Sequence, residues 1–174
     1  GLARSFSEIE ENRRAGKISA LLAVEDGGVV DGSLENLRNL YMLGVRMITL
    51  TWNYKNCIGH PNIKLIEGKK PDFYTPDAKN GLTGFGIDFV REMERSGMII
   101  DVSHLSDAGF YDVFGHTEKP FVASHSNARE ICGKVRNLTD DMIKKIARRG
   151  GVIGINFFPG FLTGGEYADD SGAL

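Results

Sequence analysis

Two segments of the chain share one pattern, an apolar run that stops at a histidine. The first runs from Met98 to His104, and the second runs from Pro120 to Ser126 and carries His125. Continuous apolar runs of this length are typical of parallel strands that are buried on both faces. Because the carboxyl ends of parallel strands meet at one edge of a sheet, we expect the two imidazoles to lie close together.

Helical and apolar segments alternate along the rest of the chain, and a glycine follows several of the helical ones. The predicted helices are 4–16, 34–43, 84–96, 107–114 and 140–149; the predicted strands are 18–24, 45–51, 98–104, 120–126 and 152–158. This alternation predicts an α/β fold with five parallel strands and crossover helices. The first strand is followed by Glu25-Asp26-Gly27-Gly28, which matches neither GxGxxG nor the Walker pattern, so a nucleotide-binding fold is disfavoured.

Composition excludes some classes of function. The formal net charge of -2 and the pI near 6.1 give no support to binding of nucleic acid or of an anionic membrane. No apolar run approaches the roughly 20 residues of a membrane helix. Cys57 and Cys132 are the only cysteines, so we expect reduced, packed thiols and not a disulfide framework.

Polar residues with ligand chemistry stand at four of the five predicted strand ends. They are Glu25, the pair Trp52-Asn53, His104 and His125. One carboxylate and two neutral imidazoles form an ordinary ligand set for zinc or a related divalent ion. A single histidine at a strand end is more often a surface or core residue, and the case for a metal site depends on two of them in register.

Other polar residues are assigned supporting or neutral roles. Asp101, Ser103 and Ser124 are predicted to support the site and not to act as nucleophiles, because no GxSxG elbow surrounds either serine. His60 and His116 are predicted to lie in loops and to face solvent. The long connection 52–82 and the tail 160–174 show no clear periodicity, and a connection this long is usually functional or mobile.

Arg136 follows His125 near the start of a predicted helix. An arginine beside a metal site suits bidentate capture of a substrate carboxylate. A solvated arginine at the start of a helix is the alternative that the sequence alone leaves open.

The motifs around these residues resemble the renal (membrane) dipeptidase family, metallopeptidases of the amidohydrolase type. The matching motifs run in order along nearly the whole chain: Ala-Val-Glu25-Asp-Gly-Gly, Leu-Gly44-Val-Arg-Met-Ile-Thr-Leu-Thr, Gly-Leu-Thr-Gly-Phe-Gly86, Gly97-Met-Ile-Ile-Asp-Val-Ser-His104, Ala-Ser-His125-Ser-Asn-Ala and Val-Arg136-Asn-Leu-Thr-Asp-Asp. The resemblance implies hydrolysis of dipeptides, including some with a D-residue at the C-terminal side, and some members cleave β-lactams.

The resemblance also implies a fold and roles for individual residues. The family is a (β/α)8 barrel with two divalent metals, usually zinc, and a metal-bridging hydroxide that attacks the peptide bond. By motif, Glu25 resembles the carboxylate that bridges the metals, and His104 and His125 resemble the ligands of the second metal. Arg136 resembles the residue that binds the substrate's free carboxylate. In some members of the family, a histidine that contacts the substrate follows the strand that corresponds to residues 45–51. Asn53 follows that strand in this chain and is predicted to contact the substrate.

The family's His-x-Asp pair on the first strand and its late aspartate do not occur in the chain. Residues 1–174 are therefore predicted to form a single partial barrel domain, TIM-barrel strands three to seven of eight, that is inactive alone. Its open edges are expected to be covered by missing segments or by a second copy in a homo-oligomer. Cytoplasm is the expected location, by analogy with relatives that lack anchors. Two alternatives stay open: a non-catalytic metal-binding fragment, and an amidohydrolase-type enzyme acting on lactones, phosphoesters or cyclic amides.

Overall fold

A three-stranded parallel sheet lies at the centre of the protein. The computed structural model describes residues 1–65, 68 and 70–163. The strands are β1 (Leu22–Glu25), β2 (Val45–Thr49) and β3 (Ile99–Asp101), in the order β1-β2-β3. Glu25 pairs with Thr49, and Thr49 pairs with Asp101. The three strands therefore end level with one another, as the sequence pattern predicted for a parallel sheet.

The described part of the chain has three strands and not the five predicted. Val122 forms one parallel bridge with Asp101, and Ile153 forms one with Ala123, so the parallel order continues without a full ladder. The side chain of Asp101 explains where the ladder stops. Its Oδ1 accepts hydrogen bonds from the backbone N–H groups of Ser103 and Ser124 at 3.0 and 2.9 Å. These two N–H groups are therefore not available for further strand pairing.

The apolar run 18–24 is typical of a strand that is buried on both faces, but that expectation is wrong. β1 begins at Leu22 and not at Ile18, and Leu22, Ala23 and Glu25 are exposed. Ile18 is 90% exposed. β1 is an edge strand of the described sheet, because it pairs only with β2. Its exposed apolar residues are therefore not covered by the described elements.

The described residues form the five predicted helices, of which the first four alternate with the three strands. They are α1 (Phe6–Arg14), α2 (Leu34–Met42), α3 (Gly84–Ser96), α4 (Asp107–His116) and α5 (Asp140–Arg148), with short 3-10 turns at Gly27–Val30 and Pro159–Phe161. The hydroxyl groups of Ser33, Thr83 and Thr139 cap α2, α3 and α5 by accepting backbone N–H groups. Gly97 ends α3 in the left-handed region with φ 77°.

The helices α2, α3 and α4 pack side by side, and α2 and α3 also contact the sheet. The core between these layers includes Ile48 of β2, Phe89 of α3, Phe110 of α4 and Phe121, each at most 2% exposed. Met142 and Ile146 of α5 join the same core. Of the residues that end the three strands, Thr49 and Asp101 are buried and Glu25 is exposed.

Cys57 and Cys132 are both free thiols, partly and fully buried respectively, as predicted. None of the helices in the described ranges combines the length and the apolar character that crossing a membrane demands.

Candidate metal centre

Glu25, His104 and His125 converge at the carboxyl edge of the sheet. The Nε2 atoms of His104 and His125 lie 2.9 Å apart. Oε1 of Glu25 lies 3.4 Å from Nε2 of His104 and 3.5 Å from Nε2 of His125. One ligand atom from each residue thus falls within 4.8 Å of the other two. The three residues predicted as metal ligands are brought together.

The two histidines reach the same point because the segments that carry them are in register. Asp101 pairs with Val122, and each histidine follows its member of this pair by three residues. β3 ends at Asp101, however, and not at His104 as predicted. His104 sits in a turn with φ 70°, a left-handed conformation that is uncommon for a residue with a side chain. This turn directs the imidazole toward its neighbours.

Glu25 is the last residue of β1, and a tight turn follows it. Asp26 has φ 69°, and its Oδ1 accepts hydrogen bonds from the backbone N–H of Gly28 and from Nδ2 of Asn56. A Cβ atom at Gly27 would lie 2.6 Å from Cδ1 of Ile58, so glycine permits this close approach. The side chain of Glu25 is 56% exposed and projects from the strand end toward the histidines.

Asn53 supports His104 from behind. Its Oδ1 lies 3.1 Å from Nδ1 of His104, so the imidazole donates its Nδ1–H to the amide oxygen. Asn53 is 2% exposed, and its Nδ2 has no hydrogen-bond partner among the described residues. Trp52 lies next to it, with its ring centroid 6.4 Å from that of His104. Asn53 therefore contacts a predicted ligand directly.

A hydroxyl group and a carboxylate support His125. Nδ1 of His125 lies 2.7 Å from Oγ of Ser124, and this hydroxyl donates to Oδ2 of Asp101 at 2.5 Å. Thr49 donates a second hydroxyl to the same oxygen at 2.6 Å. Because the proton of Ser124 points to Asp101, His125 must donate its Nδ1–H to Ser124. The predicted supporting roles of Asp101 and Ser124 match these contacts.

These partners decide the protonation of the site and show that the donor set fits a cation. Both histidines carry their proton on Nδ1, so both Nε2 lone pairs face the same point beside a carboxylate oxygen. Two such nitrogens at 2.9 Å repel each other unless a cation lies between them. Two nitrogens bound tetrahedrally to one zinc ion lie roughly 3.3 Å apart. The observed separations of 2.9, 3.4 and 3.5 Å bracket that value.

Electrostatics favour the neutral, metal-binding form of both histidines. Burial lowers the pKa of His104 to about 2, and the positive charge of Arg136 and any protonation of His125 act in the same direction. Burial and the charge of Arg136 also lower the pKa of His125, while Asp101 and Glu25 act in the opposite direction. At neutral pH neither imidazole holds a second proton that a metal would have to displace.

Arg136 lies buried next to this cluster, and it is 4% exposed. Burial lowers its pKa to about 10, and Asp101 and Glu25 oppose that change. Among the described residues, no carboxylate oxygen approaches its guanidinium within 4.0 Å. The alternative of a solvated arginine at a helix start is wrong, because the side chain is buried and α5 begins only at Asp140.

His60 and His116 lie away from this cluster. His116 was predicted to lie in a loop, but it is the last residue of α4. His60 and His116 are both partly buried and do not simply face solvent. The Nδ1 atom of each lies within 3.0 Å of a backbone carbonyl oxygen. Sequence patterns pointed to no role for Asn62 or Arg129, although both contact the backbone beside Arg136. Asn62 belongs to the long connection, whose described residues include several buried ones.

Comparisons with known proteins show the family of the chain. The chain matches, over residues 1–172, the family described as membrane dipeptidase, peptidase family M19. It is 37% identical to an uncharacterized protein from the pqqA 5′ region of Klebsiella pneumoniae, over 92% of this chain and 57% of that protein. It is 39% identical to an uncharacterized dipeptidase of Schizosaccharomyces pombe, over 86% of this chain and 34% of that protein.

A solved structure is similar as well. A metallopeptidase from Rhodobacter sphaeroides, liganded with a phosphinate mimic of the dipeptide L-Ala-D-Ala, superposes with a TM-score of 0.85 at 30% identity, over 94% of this chain and 45% of that one. The chain thus spans about half the length of the relatives that it matches. With the parallel α/β fold and the family match over residues 1–172, the chain belongs to the membrane dipeptidase family, peptidase family M19.

Proposed function

We propose that the chain is the central portion of a metal-dependent dipeptidase that hydrolyses dipeptides, including some with a D-residue at the C-terminal position. The observation that carries the proposal is the convergence of Glu25, His104 and His125 beside a buried arginine. The similar Rhodobacter sphaeroides protein, solved with a dipeptide mimic, supports the substrate class.

Glu25, His104 and His125 would hold a divalent metal, and two zinc ions are proposed for the full-length protein. When bound, such ions polarise a carbonyl group and lower the pKa of water to near neutrality. Asn53 and the Ser124–Asp101 pair hold the imidazoles with Nε2 unprotonated, which is the form that binds a metal. The exposed side of Glu25 leaves room for a second ion on that side.

Arg136 would bind the terminal carboxylate of the substrate. A guanidinium that is 4% exposed and has no carboxylate partner among the described residues is costly to bury, and an anionic ligand would compensate that cost. Its planar donors fit a carboxylate in a bidentate manner. Asn53 would supply a further contact through Nδ2, which has no hydrogen-bond partner in the described part of the chain.

Residues 1–174 are proposed to form one partial TIM-barrel domain, with the rest of the barrel supplied by other segments of a longer protein or by a second copy of the chain. Exposed apolar side chains on β1 and around Ile153 support this, since Leu22 is 41% exposed and Val152 is 66% exposed. A cytoplasmic location is part of the same proposal.

The test is a dipeptide assay with the full-length protein, with and without added zinc. Dipeptides with L- and D-residues at the second position are compared with a lactone, a phosphoester and a cyclic amide. Zinc-dependent cleavage of at least one dipeptide, with no cleavage of the other three classes, is expected. Cleavage of no dipeptide by the zinc-loaded protein would overturn the proposal, and metal binding without any hydrolysis would favour a non-catalytic metal-binding protein.

A further inference from the structure

The backbone on both sides of Arg136 is held by side chains from distant parts of the chain. The carbonyl oxygen of Val135 accepts hydrogen bonds from Nδ2 of Asn62 at 2.8 Å and from a terminal nitrogen of Arg129 at 3.1 Å. The carbonyl oxygen of Asn137 accepts one from Nε of Arg129 at 2.8 Å. Both neighbours of Arg136 are therefore fixed, although the segment belongs to no helix or strand.

A carboxylate orders the two side chains that hold this backbone. Asp107, the first residue of α4, forms a bidentate ion pair with Arg129, with both N–O distances 2.7 Å. The same carboxylate accepts Nδ2 of Asn62 at 2.7 Å. Asp107 and Arg129 are 13% and 16% exposed, so this pair is shielded from solvent and its bidentate geometry is favourable. The positive end of α4 adds to the stabilisation of the carboxylate.

Asn62 also connects this arrangement to the metal side. Its backbone N–H donates to the carbonyl oxygen of His104 at 2.8 Å, and its Oδ1 accepts the backbone N–H of Asp77 at 2.8 Å. The contact with His104 ties the turn that carries a proposed metal ligand to the segment that carries Arg136. A single residue, 1% exposed, thus lies between the two halves of the site.

We propose that Asn62, Arg129 and Asp107 are positioning residues that set the place of Arg136 relative to His104, and with it the preference for a free carboxylate one residue beyond the cleaved bond. The inference rests on the proposed function. A peptide is cleaved only if its carbonyl group lies at the metal ligands while its terminal carboxylate reaches Arg136. Fixing that separation selects dipeptides over longer or amidated substrates.

The test measures the ratio of kcat/KM for a dipeptide with a free carboxylate to kcat/KM for its C-terminal amide, and not activity alone. Kinetics on the full-length zinc-loaded protein compare a dipeptide with the same dipeptide as its C-terminal amide. Calorimetry compares binding of a phosphinate dipeptide analogue with that of its amide, which gives a readout without turnover. Arg136→Gln should abolish the preference for the free acid. Arg129→Lys should lower that preference roughly tenfold, mainly through KM, because lysine loses the contacts to both carbonyl oxygens.

A double substitution distinguishes positioning from general destabilisation. In the Arg136→Gln background, Arg129→Lys should change the ratio no further, because it acts through Arg136. Arg46→Lys is the matched control, since Arg46 also donates to backbone carbonyl oxygens, those of Arg4 and Tyr41, but lies in β2 near its start. It should leave the ratio at the wild-type value. Asp107→Asn is the second variant to use where Arg129→Lys does not fold.

The outcomes separate the two proposals. If the wild-type protein neither binds the phosphinate analogue nor cleaves dipeptides, the proposed function fails. If the wild-type protein prefers the free acid and Arg136→Gln removes that preference, but Arg129→Lys and Asp107→Asn keep it, only the positioning inference is overturned.

Discussion

The two sides of the site are held in different ways. On the metal side, Glu25 ends a strand, and both histidines follow residues that are bridged across parallel segments. On the arginine side, Arg136 lies in a loop that is closed by one bridge, between Ala128 and Leu138. Backbone pairing and a buried carboxylate fix the first side. An ion pair between side chains, Arg129 with Asp107, fixes the second.

This difference teaches where precision comes from in each half. The backbone pairing of the sheet fixes the position of a strand end, so a histidine there needs only a partner that orients its imidazole. A loop residue has no such backbone pairing, and side-chain hydrogen bonds must fix the residues on either side of it. Substitutions on the metal side should therefore change metal binding, and substitutions on the arginine side should change the binding of a free carboxylate.

The largest expected effect is on the metal side. His104→Ala and His125→Ala should each weaken zinc binding by at least about a hundredfold, because each removes a ligand and not only its support. Metal analysis after dialysis against a chelator measures this in the full-length protein. Arg136→Gln is the control and should keep its metal. Normal metal content in both histidine variants would show that neither is a ligand.

A pH experiment asks whether the two sides are electrostatically independent. The pKa of folded His104 is about 2, well below its unfolded value near 6.5. Its contribution to stability is therefore complete above about pH 6.5 and is lost as the pH falls from there toward 2, since only the unfolded state then gains a proton. Between pH 6.5 and 5 the metal-free protein should lose about 2 kcal/mol of unfolding free energy.

Urea unfolding at several pH values measures this loss, and His104→Gln should reduce it. Arg136→Gln should reduce it by less, because burial is the larger cause of the low pKa of both histidines and the charge of Arg136 is the smaller one. A flat profile from pH 7 to pH 5 in the wild-type protein would contradict the burial of a neutral His104. An unchanged slope in Arg136→Gln would show that burial alone keeps both imidazoles neutral in this pH range.

A smaller effect is expected from the support of His125. Ser124→Ala removes the hydroxyl group between His125 and Asp101 and should weaken zinc binding roughly tenfold. Ser124→Thr keeps the hydroxyl group and should restore most of the affinity. Competition with a chromogenic chelator gives the constants. Equal affinities in all three proteins would mean that this hydrogen bond does not orient the imidazole.

The smallest expected effect is on the stability of a Glu25 variant. Glu25→Gln should change the unfolding free energy of the metal-free protein by less than about 0.5 kcal/mol, since its side chain is 56% exposed. Its activity should fall much further, because a neutral amide replaces a carboxylate ligand. Loss of activity and of stability in proportion would assign Glu25 to the fold and not to the site.

Local patterns made much of this structure predictable. The caps at Ser33, Thr83 and Thr139 depend only on neighbouring residues, so the helix positions follow from short segments. The clustering of Glu25, His104 and His125 follows from their places after apolar runs, because parallel strands end at one edge.

Features that depend on distant contacts were not predictable in this way. The ladder beyond Asp101 stops because a side chain takes the N–H of Ser124, 23 residues away. Asn62 reaches Asp107 across 45 residues and Val135 across 73. A single sequence shows no periodicity for such contacts, and the left-handed turn at His104 has no glycine to indicate it.

The position of Trp52 gives the protein an internal optical probe. It is the only tryptophan in the chain, and its ring centroid lies 6.4 Å from that of His104. Within residues 1–174, indole emission excited at wavelengths that tyrosine does not absorb will therefore come from the edge of the site alone. A paramagnetic ion such as Co²⁺ bound at His104 should quench that emission at this short range, so occupancy becomes measurable by fluorescence titration without substrate or label.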